Sequence, residues 1–293
     1  MNSEIDLHIH TRYSQDGEWP PRRIFEEAKR LGIRALAFAD HDSVAAIPEG
    51  VALAPEFGVS FAPAVEITSR LGGHDIHVLG YFIDWRSPRL AGALEDIGRA
   101  LVDQARERVA RLQSLGFRIE FADVRRFSEG RHPTTAAIVM ALKAQAANRA
   151  DARFARYLTG DRSASPVYNF YRDWFIAGTP AFVELNTPEA PEAVALVHSL
   201  GGAAIMAHPG RTPEALVDAL RAAGVDGLEV WCSTHAPEDA ARYAHYAAAH
   251  GLLATAGSDF HGPSIKPDIR LGDLTGGTMA MFDALERRAE ELR

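Results

Sequence analysis

Short apolar runs recur along the chain, at residues 5–9, 35–39, 59–65, 76–82, 203–207, 227–231 and 253–256. Each spans at most seven residues, a pattern that predicts short buried strands. Helical periodicity lies between several of them, over 21–31, 190–200, 213–223 and 237–250. Pro21 stands in the first turn of one such helix and Gly32 follows its end; Pro213 and Gly224 bracket another in the same way. Buried runs alternating with amphipathic helices predict parallel β/α units rather than a sandwich. The rhythm breaks between about Ser87 and Gly178. There the pattern predicts helices over 90–115, 134–147 and 150–158, followed by an aromatic knot at 168–174. This stretch reads as a helical insertion after the fourth strand, dividing the chain into a barrel (1–87 and 179–293) and a cap over the substrate (88–178).

Composition adds little to that picture: 47% hydrophobic and 24% charged residues are ordinary for a globular chain of 293 residues. Nothing approaches the 18 or so consecutive apolar residues of a membrane span. The N-terminus runs straight into a strand-like segment without the pattern of a secretory signal, so the expected compartment is the cytoplasm. A single cysteine, Cys232, excludes an internal disulfide and reads as a small buried hydrophobe. Charge is distributed unevenly. Between Arg99 and Arg172 fourteen Lys or Arg face seven Asp or Glu, so this segment carries +7 while the remainder carries −15 of the net −8. An acidic body suits bound cations, and a basic segment suits a phosphate-bearing ligand.

Polar residues competent to bind metal collect where the apolar runs stop. Asp6-Leu7-His8-Ile9-His10 places two imidazoles two residues apart on one strand, hence on one face, with Asp16 six residues on. Asp40-His41-Asp42 follows the second run, Glu66 the third, His208 the fifth and Asp259-Phe260-His261 the seventh. His77 lies in the fourth, beside His74 and Asp75. In a barrel of parallel strands these C-terminal ends converge on one mouth. His198, His245 and His250 lie on helix patterns away from the strand ends and read as surface or packing residues.

The series Asp6-Leu7-His8-Ile9-His10, Ala39-Asp40-His41-Asp42, Glu66, His77, Ala207-His208-Pro209-Gly210-Arg211 and Gly257-Ser258-Asp259-Phe260-His261 resembles the polymerase and histidinol phosphatase (PHP) family. The resemblance runs over nearly the whole chain. It implies a distorted (β/α)7, TIM-like barrel of the amidohydrolase group with a helical insertion. It also implies two or three divalent ions, with Mn2+ favoured and Zn2+ or Fe2+ compatible with imidazole and carboxylate ligands. Carried over, His8, His10, Glu66 and Asp259 hold the first ion; Glu66, His77 and His208 the second; Asp16, His41 and His261 the third. The insertion and the Ala207-His208-Pro209 motif resemble the branch acting on nucleoside 3′,5′-bisphosphates, some of whose members trim short RNA from its 5′ end. Where many relatives carry Arg-Pro-His, this chain has Arg131-His132-Pro133.

The activity so implied is removal of the 3′-phosphate by attack of a metal-bridging hydroxide, with Glu66 and Asp259 at the catalytic centre. Asp40 and Asp42 are expected to orient ligands or assist proton transfer. Arg211 would grip one phosphate, and Arg131, His132 and Thr135 a second, with Asp75 as a further substrate contact. The expected partner is a small phosphorylated nucleotide, with short RNA as an alternative; no membrane or obligate protein partner is expected. Rival readings are a 5′→3′ exonuclease, a C–N amidohydrolase and a non-catalytic metal-binding module. The aromatic knot offers either a nucleobase platform or, more in keeping with its spacing, the core of the insertion.

Overall fold

The computed structural model describes residues 3–293, and at Arg211 the backbone but not the side chain. By contacts the chain forms two compact units: Met1–Leu94 with Thr187–Arg293, and Glu95–Asn186. The expected boundaries, after residues 87 and 178, lie seven and eight positions earlier than these.

The first unit is built on seven described strands: β1 (Ile5–Ile9), β2 (Ala35–Phe38), β3 (Ser60–Leu71), β4 (His74–Tyr81), β5 (Ala203–Met206), β6 (Gly227–Cys232) and β7 (Leu253–Gly257). They neighbour one another in chain order. β1 and β7 meet again beyond their ends, where His10 N–H donates to Phe260 O at 2.8 Å and Asp259 N–H to His8 O at 2.8 Å. The result is the expected α/β fold, a nearly closed seven-stranded barrel. Helices α1 (Pro21–Leu31) and α2 (Ile47–Phe57) follow β1 and β2, and α3 (Pro88–Ser114) leads into the second unit. Helix α2 was not among the helices expected from the sequence; Pro48 stands in its first turn and Gly58 ends it at φ 67°.

The strands are not all parallel. β4 runs antiparallel to both β3 and β5, whereas β1–β2–β3 and β5–β6–β7 pair in parallel. β3 and β4 form a hairpin in which Leu71 pairs with His74 across Gly72 and Gly73. Both glycines have positive φ, 58° and 78°, as a two-residue turn of this twist requires. Ten residues between the two predicted runs leave no room for a crossover helix, which is why a hairpin forms. β3 also extends six residues past the predicted end at residue 65, so Glu66 lies within a strand rather than at its tip.

The second unit contains α4 (Phe121–Phe127), α5 (Thr135–Ala144), α6 (Ala146–Ala150), α7 (Ala152–Ala155) and α8 (Pro166–Trp174). Leu112, Phe117, Val124, Ile138, Leu142, Phe154 and Phe170 form its core. The aromatic knot belongs to that core: Phe170 is fully buried and stacks on Trp174 at 5.8 Å. Tyr168 is exposed. The first unit continues through α9 (Ala190–Ser199), the short turn Pro209–Arg211, α10 (Glu214–Ala222), α11 (Pro237–His250) and α12 (Met279–Glu291). Phe282, Leu285 and Ala289 of α12 pack with Ile5, Leu7, Ala37, Leu79 and Ile205 of the strands. No helix among the described residues is long and apolar enough to cross a membrane.

Candidate metal centre

Glu66 is the hub. Its carboxylate is fully buried, and each oxygen faces a different pair or trio of imidazoles. Oε1 lies 2.9 Å from His77 Nδ1 and 3.1 Å from His208 Nε2. Oε2 lies 3.1 Å from His8 Nε2, 3.3 Å from His10 Nε2 and 3.1 Å from His41 Nδ1. Asp259 Oδ1 approaches His10 Nε2 at 3.3 Å, His261 Nδ1 at 3.4 Å and His8 Nε2 at 3.7 Å. Asp16 Oδ2 faces His261 Nε2 at 3.4 Å and His41 Nε2 at 3.6 Å. The nine residues expected as ligands therefore share one basin.

Three of its donor groups are tight enough to enclose an ion: His8, His10 and Glu66; His41, Glu66 and His77; and His10, Asp16, His41 and His261. The grouping differs in detail from the expected one, since His41 borders two groups and His10 two. The donors fit cations better than they fit each other. His8 Nε2 and His10 Nε2 face at 3.1 Å and both also face Glu66, a crowding of ring nitrogens that shared protons satisfy poorly. His41 Nδ1 is buried and makes no hydrogen bond of proper geometry. Nitrogen and oxygen donors without thiolate suit Mn2+, Fe2+ or Zn2+. Cys232 stays outside, its thiol against Thr234 Oγ1 at 2.9 Å.

His77 reaches the basin by a route the parallel-barrel reading missed. Because β4 runs backwards, its N-terminal half stands beside the C-terminal ends of the parallel strands, and His77 pairs in register with Thr68 of β3. The basin is graded in depth: the side chains of His8, His10 and Glu66 are fully buried, while Asp16, His77 and His208 are each 23–28% exposed and form its opening. Backbone strain collects here. Asp42, His208 and Asp259 all have positive φ (49°, 29° and 56°), unusual for residues with a side chain, and a rigid surround must hold them there.

Electrostatics follows from the crowding. Burial opposes ionisation of Glu66, but His41, His8 and His77 outweigh it and hold the carboxyl far below its ordinary range. Burial also pulls His10 down, yet Asp259 and Glu66 raise it to about 9. In His41 burial prevails over Glu66 and Asp16 and lowers the imidazole to about 3.

Several acidic residues near the histidines hold loops. Asp40 accepts the Thr11 N–H at 2.5 Å and the Thr11 hydroxyl at 2.7 Å, and Asp42 accepts the Thr68 N–H at 2.9 Å and its hydroxyl at 2.6 Å. With both oxygens of each carboxylate engaged, the geometry favours the orienting half of the role expected for them over proton transfer. Asp6 likewise accepts Ser258 N–H and Gly272 N–H, both at 2.8 Å, tying β1 to the segment after β7. Burial raises all three carboxyls to about 6.

Two residues escaped the sequence reading. Glu229, fully buried on β6, puts Oε1 2.9 Å from His8 Nδ1 and accepts the His208 N–H on Oε2 at 2.9 Å. β1 and β6 both shift register near these residues, between Asp6 and Ile9 and between Glu229 and Trp231. Gly257 lies between the two: a Cβ there would come within 2.2 Å of His8 Cβ. A lone carboxylate inside the apolar run 227–231 was the available signal. Lys266, the second, places Nζ 2.5 Å from Asp259 Oδ2.

Of the expected substrate contacts, Asp75 is exposed on β4. Arg211 closes the turn after His208, its side chain lying outside the described residues. Gly210 N–H in that turn donates to His235 Nε2 at 3.0 Å, and Tyr243 donates to Pro209 O at 2.7 Å. Arg131, His132 and Thr135 belong to the second unit. The Arg131 guanidinium is 3.8 Å from Glu129, the His132 ring packs on the Gly98 backbone, and Thr135 opens α5.

A nearly closed barrel with imidazoles and carboxylates gathered at its mouth is the architecture of metal-dependent phosphoesterases of the PHP type. A PHP domain model matches residues 6–115. The 3′,5′-nucleoside bisphosphate phosphatase of Chromobacterium violaceum is 30% identical over 267 residues, 89% of this chain and 88% of that one. A 5′-3′ exoribonuclease of Haemophilus influenzae is 29% identical over 269 residues, 90% and 92% of the two chains. A solved structure from Bifidobacterium adolescentis, assigned as a metal-dependent phosphoesterase, superposes with a TM-score of 0.76 at 28% identity, covering 97% of this chain and 96% of that one. The chain belongs to the PHP family, and its chemistry is hydrolysis of phosphate esters.

Proposed function

We propose that the protein removes the 3′-phosphate from nucleoside 3′,5′-bisphosphates, leaving the 5′-monophosphate. The observation that carries the reading is the division of Glu66, one oxygen toward His77 and His208 and the other toward His8, His10 and His41, so that one carboxylate would serve two neighbouring cation sites. The 30% identity to a bisphosphate phosphatase supports the substrate class.

In this reading His8, His10, Glu66 and Asp259 would hold one ion, Glu66 with His77 and His208 a second, and Asp16 with His41 and His261 a third. Bound divalent ions, Mn2+ by preference, supply charge that polarises phosphoryl oxygens and acidifies water. Asp40 and Asp42 position the loops that present His10 and His41, through Thr11 and Thr68. Arg211 contributes a guanidinium for a phosphate, with a fork geometry matched to two oxygens. Asp75 orients the nucleotide. Similarity to exoribonucleases supports one alternative, cleavage of short 5′-phosphorylated RNA at the same centre.

The deciding experiment adds Mn2+ to metal-stripped protein and compares a nucleoside 3′,5′-bisphosphate with a 5′-phosphorylated oligoribonucleotide. Inorganic phosphate released from the bisphosphate at the higher kcat/KM is expected. Mononucleotides released preferentially from the oligonucleotide would transfer the assignment to the exonuclease.

A further inference from the structure

The segment after β7 folds back sharply on the basin. Ile265 N–H and Lys266 N–H both return to Gly262 O, at 3.2 and 2.9 Å. Glu18 fastens the outside of the turn, accepting Ser264 N–H at 3.0 Å and the Ser264 hydroxyl at 3.3 Å. The fold-back delivers the Lys266 ammonium to Asp259 Oδ2, while Oδ1 of the same carboxylate faces His8, His10 and His261. The Lys266 side chain remains 34% exposed.

This pairing differs from how the protein treats carboxylates that only hold loops. Asp6, Asp40 and Asp42 are satisfied by backbone N–H groups and threonine hydroxyls, short donors on fixed backbone. Asp259 alone of these four is held by an ammonium on a flexible four-carbon stem that reaches solvent. Cations gathered by Asp259 and its histidines would repel that ammonium, because like charges a few ångströms apart with little water between them interact strongly. The repulsion is relieved when an anion lies between them. A phosphoryl group is such an anion, and an ammonium at the wall of the basin is a phosphate ligand by chemistry.

We propose that Lys266 is a substrate-contacting residue: its ammonium, held at the wall of the basin beside Asp259, would take a phosphoryl oxygen of the substrate when the basin holds metal. The inference rests on the basin being a phosphoester site, and its test separates the two.

Metal-stripped wild type, Lys266→Met, Lys266→Gln and Lys266→Arg are titrated calorimetrically with Mn2+ alone, and then with inorganic phosphate at saturating Mn2+. Losing a cation that competes for Asp259 should leave Mn2+ affinity of the Met variant equal to wild type or higher. Its phosphate affinity should fall about tenfold, the value of one charge-assisted hydrogen bond. KM for the phosphoester should rise with it, more than kcat falls, and Lys266→Arg should restore most of both. Lys266→Gln keeps a donor for Asp259 without the charge, so it must show the same loss of phosphate affinity even if the Met variant fails to fold. Unchanged phosphate affinity in the neutral variants overturns the proposal and leaves Lys266 a counter-ion. Wild type that binds Mn2+ and phosphate but turns over no phosphoester would sink the functional reading, with Lys266 still judged on phosphate affinity. Wild type that binds no Mn2+ would sink both.

Discussion

Among single residues, the histidines owe their usefulness to the groups behind them. His8 presents Nε2 to the basin because Glu229 occupies its Nδ1, which fixes the ring and favours a lone pair facing the cations. Glu229→Ala should therefore weaken Mn2+ binding about 10- to 100-fold, the usual effect of losing such support. Glu229→Gln should fall between, since an amide oxygen can still accept from one of the two donors. Equal Mn2+ affinity in the Ala variant and the wild type would deny the positioning role. Protonation gives a second prediction. His10, held at about 9, carries a proton near neutrality in the metal-free protein, and a metal ligand must be neutral. Mn2+ affinity should rise as pH increases from 7 towards 9, up to about tenfold per unit for each proton released, then flatten. Calorimetry in buffers of different ionisation enthalpy counts those protons; no buffer dependence would mean that His10 is already neutral.

Elements matter here through direction. The sequence placed His8 and His10 on a common face from their spacing alone, and the structure agrees, because alternation along a strand is a local property. It could not place Glu66 or His77 so well. Glu66 lies inside a strand that changes partner, parallel to β2 over its first half and antiparallel to β4 over its second. The carboxylate's neighbours are fixed by pairing across the sheet rather than by its own segment. Thr68 on the same strand secures the second loop by donating both its N–H and its hydroxyl to Asp42. Thr68→Val deletes the hydroxyl donor and leaves a buried carboxylate oxygen unpaired, at a cost of about 1–3 kcal/mol. The lowered melting temperature should be measured without metal and again with Mn2+. A variant as stable as wild type would show that water replaces the hydroxyl.

At the scale of the whole molecule, the barrel concentrates three acidic side chains and six imidazoles in one basin, an arrangement that bound cations stabilise. Mn2+ should raise the melting temperature of stripped protein, by about 2.7 kcal/mol of stability at a hundredfold excess over Kd, and chelation should reverse it. A thermogram indifferent to Mn2+ would contradict the assignment of these residues as ligands. By itself the sequence determined the strand-forming runs, the helical insertion and the polar clusters that end those runs, and it was the family resemblance that singled out nine of their residues. Those features depend on local periodicity and on polar residues ending apolar runs. Tertiary structure alone decided that Asp40 and Asp42 are consumed by threonines 29 and 26 positions away, and that Glu229 stands behind His8. Each of those outcomes joins segments far apart in the chain, and Glu229 and His8, 221 positions apart, meet only when the sheet curls into a barrel.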